Sequence, residues 1–65
     1  MEKNATIIGA EVTRLLQADG STPEPIAMRV TAQMDHGVVV TVEDTPYKKV
    51  RLGDRVAVWV LYEEE

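Results

Sequence analysis

The chain has 65 residues, a formal net charge of −4 and no cysteine. One domain is all that this length supports, and a disulfide framework or thiolate metal site is excluded. A single histidine, His36, rules out a His-rich metal site, and the acidic balance argues against nonspecific binding to nucleic acid or an anionic membrane.

A domain this small leaves much of its surface exposed when folded. Such domains usually rely on a disulfide, a metal or a partner subunit. The first two are missing from the residue inventory, so self-association is the expected extra source of stability. The opening stretch MEKNATIIGAEV has charges but no long apolar run, so no signal peptide is expected. No window reaches the roughly 20 apolar residues of a membrane span. Together with the missing cysteines, this points to a cytoplasmic protein.

Residues 1–4 are polar and are expected to fray, as are the three glutamates 63–65. Residues 5–18, ATIIGAEVTRLLQA, fit two periods. As a helix, Ile8, Val12, Leu15 and Leu16 line one face, with Asn4 as N-cap and Gly20 past the end. As a strand, Ile8, Ala10, Val12 and Leu16 share a face, interrupted by Arg14. Thr6, Ile7, Ile8 and Gly9 would be a poor first helical turn, whereas Gly9 suits a bulge in a long strand. The strand is the preferred reading, and an α+β fold is the alternative.

Asp19 to Pro25 is a loop by its Asp-Gly pair and two prolines, long enough to protrude. Ile26 to Met34 alternates cleanly, with Ile26, Met28, Val30, Ala32 and Met34 on the apolar face. Asp35-His36-Gly37 is a short turn, and Val38 to Glu43 follows with Val38, Val40 and Val42 facing inward. A turn this short predicts an antiparallel hairpin. Tyr47 to Arg51 reads as a short basic edge strand. Gly53-Asp54 then turns the chain into a last strand over 55–62, which is apolar on both faces.

These elements predict an all-β domain, a small antiparallel barrel or rolled sheet of four to five strands. The stretch Leu52-Gly53-Asp54-Arg55-Val56-Ala57-Val58 resembles the closing strand of the small SH3-like and OB-like barrels. That resemblance covers about a fifth of the chain and implies an architecture, with no binding residue carried over.

Catalytic chemistry finds little material. Ser21 lies in the loop and His36 in the turn, with no spacing that joins nucleophile to base. Glu43 and Asp44 are adjacent and would point to opposite faces of a strand. Glu43-Asp44-Thr45 offers too few oxygens for a calcium loop, and the scattered glycines cradle no phosphate. No catalytic, cofactor or metal residue is assigned.

Two partner sites remain. Trp59, Ala57 and Leu61 would share one face of the last strand, opposite Val56, Val58, Val60 and Tyr62. A barrel buries one face, so the other is free to meet a second copy or another protein. The second is the basic stretch Tyr47, Lys48, Lys49, Arg51 and Arg55, whose four cations face Asp54 alone. It could take nucleic acid or an acidic partner. The expectation is a non-enzymatic, self-associating structural or protein-binding module, with a nucleic-acid-binding barrel as the alternative.

Overall fold

The computed structural model describes residues 2–63. Four antiparallel strands form one sheet in the order β3-β2-β1-β4: β1 (Ala5–Leu16), β2 (Glu24–Met34), β3 (Val39–Pro46) and β4 (Arg55–Val56). A 3-10 helix, Val58–Tyr62, follows. The sheet curls into a half-barrel, so the expected all-β fold is found. Residues 5–16 are strand and the helical alternative falls.

Bulges decide which side chains face the core. Between Ile7 and Gly9 the register to β2 shifts, leaving Ile8 as the extra residue. Ala5 and Ile7 are therefore buried while Ile8 is exposed, which corrects the inward position expected for Ile8. Gly9 suits this bulge because it sits opposite Thr31, where an added Cβ would lie 3.3 Å from the Thr31 Cβ. A second shift lies between Met28 and Val30, where β3 has one residue more than β2. Asp44 takes it up with a positive φ of 59°. The shift turns Thr45 inward, three positions after the buried Val42. A further shift between Arg14 and Leu15 passes over Ile26, so Ile26 is exposed where alternation put it inside. Met28, Val30 and Ala32 are buried as their pattern predicts. In the turn after β2, Val38 is exposed, while Val40 and Val42 pack on the core.

The segment after β3 is the largest correction. Residues 47–51 form no strand, and the last strand is two residues long rather than spanning 55–62. The apolar run closes into the 3-10 helix, with the Val60 N–H donating to the Ala57 carbonyl at 3.0 Å. Side chains three apart share a face in such a helix. Val58 and Leu61 thus turn to the core, and Trp59 and Tyr62 turn outward. The physical reason lies elsewhere in the chain. Leu61 is fully buried against Ala5, Ile7, Met28, Val30, Ala32 and Val42, and its carbonyl accepts a 2.9 Å hydrogen bond from the buried Thr45 hydroxyl. A fully extended strand would point alternate residues away and lose that pocket.

Residues 47–62 thereby form a lid over one face of the sheet, with Tyr47, Val50, Val56 and Val58 packed around Leu61. Its seam runs through Asn4. The Asn4 N–H donates to the Val56 carbonyl, its own carbonyl accepts from the Asp35 N–H, and its side-chain oxygen accepts from the Val58 N–H, each at 2.9 Å. Asn4 is therefore a joint and not a frayed end. Glu63 is held as well, since its carbonyl accepts from the Lys48 ammonium at 3.0 Å. The expected fraying at Met1, Glu64 and Glu65 lies outside the described residues.

Truncating Leu61 to Ala should cost about 2–5 kcal/mol, because the sheet behind it cannot collapse into the space. A domain of this size holds roughly 3–10 kcal/mol in all. Urea denaturation should therefore show the Leu61→Ala midpoint far below wild type. Thr45→Val keeps the volume but strands the Leu61 carbonyl, and should cost about 1–3 kcal/mol in the same titration.

Candidate functional site

The basic stretch divides into internal and external groups. Tyr47 is half-buried and its N–H donates to the Ile26 carbonyl. The Lys48 ammonium donates to the Thr45 hydroxyl and to the carbonyls of Pro46 and Glu63, so it fastens the lid. Arg55 lies away from these residues. Its guanidinium grips both carboxylate oxygens of Asp35 at 2.6 and 2.8 Å, and also donates to the Thr6 hydroxyl and the Lys3 carbonyl. This bidentate bond, together with the charge of Arg55, holds the Asp35 carboxyl below the usual range for aspartate.

Only Tyr47, Lys49 and Arg51 of the five come together. With Val50 they line an open cleft of about 290 Å³. Asp54, the one acid nearby in sequence, caps the following turn by accepting from the Arg51 N–H at 2.9 Å. Neither Lys49 nor Arg51 meets a carboxylate among the described residues.

The grouping of Trp59, Ala57 and Leu61 depended on a strand that is not formed. Ala57 and Leu61 are buried inside the chain, and Trp59 stands apart from them at 41 % exposure. Half of the exposed large apolar residues lie instead on the β1–β2 hairpin. Beyond the part backed by β3 and the lid, this hairpin runs on as a two-stranded ribbon, and the molecule measures 46 Å along its longest axis. Leu15 and Leu16 are exposed on it, Leu15 at 61 %, while the exposed Val12 stands level with Met28, which β3 backs, and the exposed Ile26 is bonded through its carbonyl to Tyr47. At the tip, the Ser21 hydroxyl donates to the Ala18 carbonyl and accepts from the Ala18 N–H, closing a turn on itself.

The two edges of the sheet differ. β3 ends in Glu43, Asp44 and Pro46, with the kink at Asp44, features that discourage further pairing. β1 meets β4 only at Ala5 and Thr6, extended by bonds from Ile7 to Asp54 and Gly53. From Ile8 to Leu16 its outer edge meets no strand among the described residues. The outer face of the three-stranded part carries ion pairs. Arg29 on the middle strand binds Glu11 on one side and Glu43 on the other, and Arg14 reaches Asp44 across Ala27.

Sequence reasoning placed the chemistry at residues 47–62 and missed the ribbon. The available signal was length. Residues 5–16 and 24–34 make a hairpin longer than the eight residues of β3 can back. Ser21 and His36 lie beyond opposite ends of β2, about 30 Å apart at the rise of a strand. No cluster of three or more His, Asp or Glu side chains is gathered among the described residues, and no helix is long and apolar enough to cross a membrane. No family model, curated protein or solved structure matches this chain significantly.

Because Asp35 binds fewer protons folded than unfolded near its titration, its contribution to stability is present above the unfolded value of about 3.9. It is lost as pH falls through the lower folded value. The Asp35 carboxyl, followed by NMR, should titrate below the usual aspartate range, and Arg55→Gln should move it up toward that range. An unmoved midpoint would mean that the pair is not formed in solution.

Proposed function

We propose that this chain is a non-enzymatic β module, an SH3-like or OB-like half-barrel, that acts by associating with itself or with another protein. The observation that carries this reading is the β1–β2 hairpin, where Val12, Leu15, Leu16 and Ile26 are each exposed near the strand edge of β1, which meets no strand from Ile8 to Leu16 among the described residues. Exposed apolar side chains beside a free strand edge are the material from which interaction sites are made. A chain without disulfides that folds around so few buried residues also gains most from a partner.

Sedimentation equilibrium over a wide concentration range tests it. The mass should rise above the 7.2 kDa of one chain. Leu15→Lys with Leu16→Lys should abolish that rise, yet shift stability by only about 0.5 kcal/mol, since both sites are exposed. A mass that stays at one chain throughout removes self-association and leaves only binding to a different protein.

A second reading rests on the cleft. Tyr47, Lys49 and Arg51 offer a ring and two cations to an anionic chain such as single-stranded nucleic acid. It is the weaker reading, because Lys48 and Arg55 are engaged within the fold. An oligonucleotide titration at low salt decides it. Binding should weaken in Lys49→Ala with Arg51→Ala, and no binding at any length sets the reading aside.

A further inference from the structure

We propose that the chain carries one self-modification site, the bond between Asp19 and Gly20 at the hairpin tip, which rearranges through a succinimide to isoaspartate.

The reaction needs only this chain and water. The Gly20 backbone nitrogen attacks Cγ of the Asp19 carboxyl. An N–Cγ bond forms, and the Cγ–OH bond of the protonated carboxyl breaks. The hydroxyl leaves with the amide proton as water, and a five-membered imide remains. Water then adds to one of the two imide carbonyls. Attack at Cγ restores aspartate. Attack at the main-chain carbonyl breaks the original peptide bond and routes the backbone through Cβ and Cγ. Mass and charge are unchanged, but the turn gains one backbone methylene and the free carboxylate now sits on Cα.

The structure singles out this aspartate from four. Asp35 is held by both oxygens on Arg55 and precedes His36. Asp44 pairs with Arg14 at 3.0 Å and precedes the buried, β-branched Thr45. Asp54 accepts from the Arg51 N–H at 2.9 Å and precedes Arg55. Asn4, the sole asparagine, has its side-chain oxygen on the Val58 N–H and precedes the buried Ala5. Asp19 is exposed, and no hydrogen bond or ion pair holds its carboxylate among the described residues.

Gly20 supplies the nucleophile. It is the one glycine that follows an aspartate or an asparagine. Its N–H meets no acceptor among the described residues, whereas the N–H of Ser21 beside it is bonded to the Ala18 carbonyl at 3.0 Å. Gly20 has a φ of 74°, and a Cβ placed on it would meet nothing within 4 Å. Neither a side chain of its own nor a neighbour's therefore screens the nitrogen. The product also fits. The added methylene falls outside Leu16 and Glu24, the last pair of the β1–β2 ladder, and loop tips tolerate such changes.

The test ages the full chain in mildly acidic buffer at physiological temperature. Isoaspartate is then read by methyl transfer from S-adenosylmethionine with an isoaspartyl methyltransferase, and located by peptide mapping. The label should accumulate on the tryptic peptide Leu15–Arg29, with a minor species of that peptide one water lighter. Asp19→Glu should lose the label, because its imide would need a slower six-membered closure. Asp19→Asn should convert faster, losing ammonia and gaining one negative charge. Circular dichroism of the aged wild type should match that of fresh protein. An aged wild type without label overturns the assignment. So does label on Val30–Lys48 or Leu52–Arg55, which hold the other three aspartates, or label that persists in Asp19→Glu.

Discussion

The fold hangs on the seam at Asn4. One short polar residue at the head of β1 joins two regions distant in sequence: the β2–β3 turn, and the stretch from the last strand into the 3-10 helix. Each neutral hydrogen bond contributes only about 1 kcal/mol net. Their value here is geometric. They fix where the 3-10 helix begins, so that Leu61 arrives over the sheet with Thr45 beneath its carbonyl. Arg55 braces the same corner by gripping Asp35 and the Lys3 carbonyl. Being half-exposed, that grip contributes less as an ion pair than as a splint.

From this corner the molecule divides into two regimes. Near the joint, four strands and the lid enclose Ala5, Ile7, Val30, Ala32 and Leu61. Away from it, β1 runs on to Leu16 with no strand on its outer edge among the described residues, and Leu15 and Leu16 stay in water. The lid is too short to reach them, because residues 47–62 are consumed in covering the joint end. An unfinished sheet is thus a direct result of how the chain spends its length. It is also why the proposed activity lies on the ribbon and not on the Trp59 face.

Much of the strand layout could be read locally. Ile26 to Met34 alternates, a turn of three residues follows, and Val40 and Val42 continue the inward face. Gly9 signalled a bulge, and the bulge is there. What failed depended on distant contacts. Residues 56–62 are apolar at every position, and a short run of that kind has no period to separate strand from helix. The 3-10 turn is chosen by the pocket for Leu61 and the bond from Thr45, 16 positions back in the chain. The basic stretch looked like one patch, yet Arg55 and Lys48 were claimed by Asp35 and by carbonyls that no local pattern reveals. The ribbon went unseen because exposure of Leu15 and Leu16 follows from the relative lengths of three strands.

The Ser21 turn has a different kind of consequence. Its hydrogen bonds close among Gln17, Ala18 and Ser21, and nothing in the lid or core depends on them. It stands at the far end of the ribbon from Asn4, where the chain reverses through exposed small and polar residues. Loop tips of this kind accept added chain at a cost that grows only with the logarithm of its length. The domain is therefore built like a handle with a free end. A foreign peptide spliced between Asp19 and Gly20 would be carried well clear of the packed corner, making this small fold a natural mount for displayed sequences.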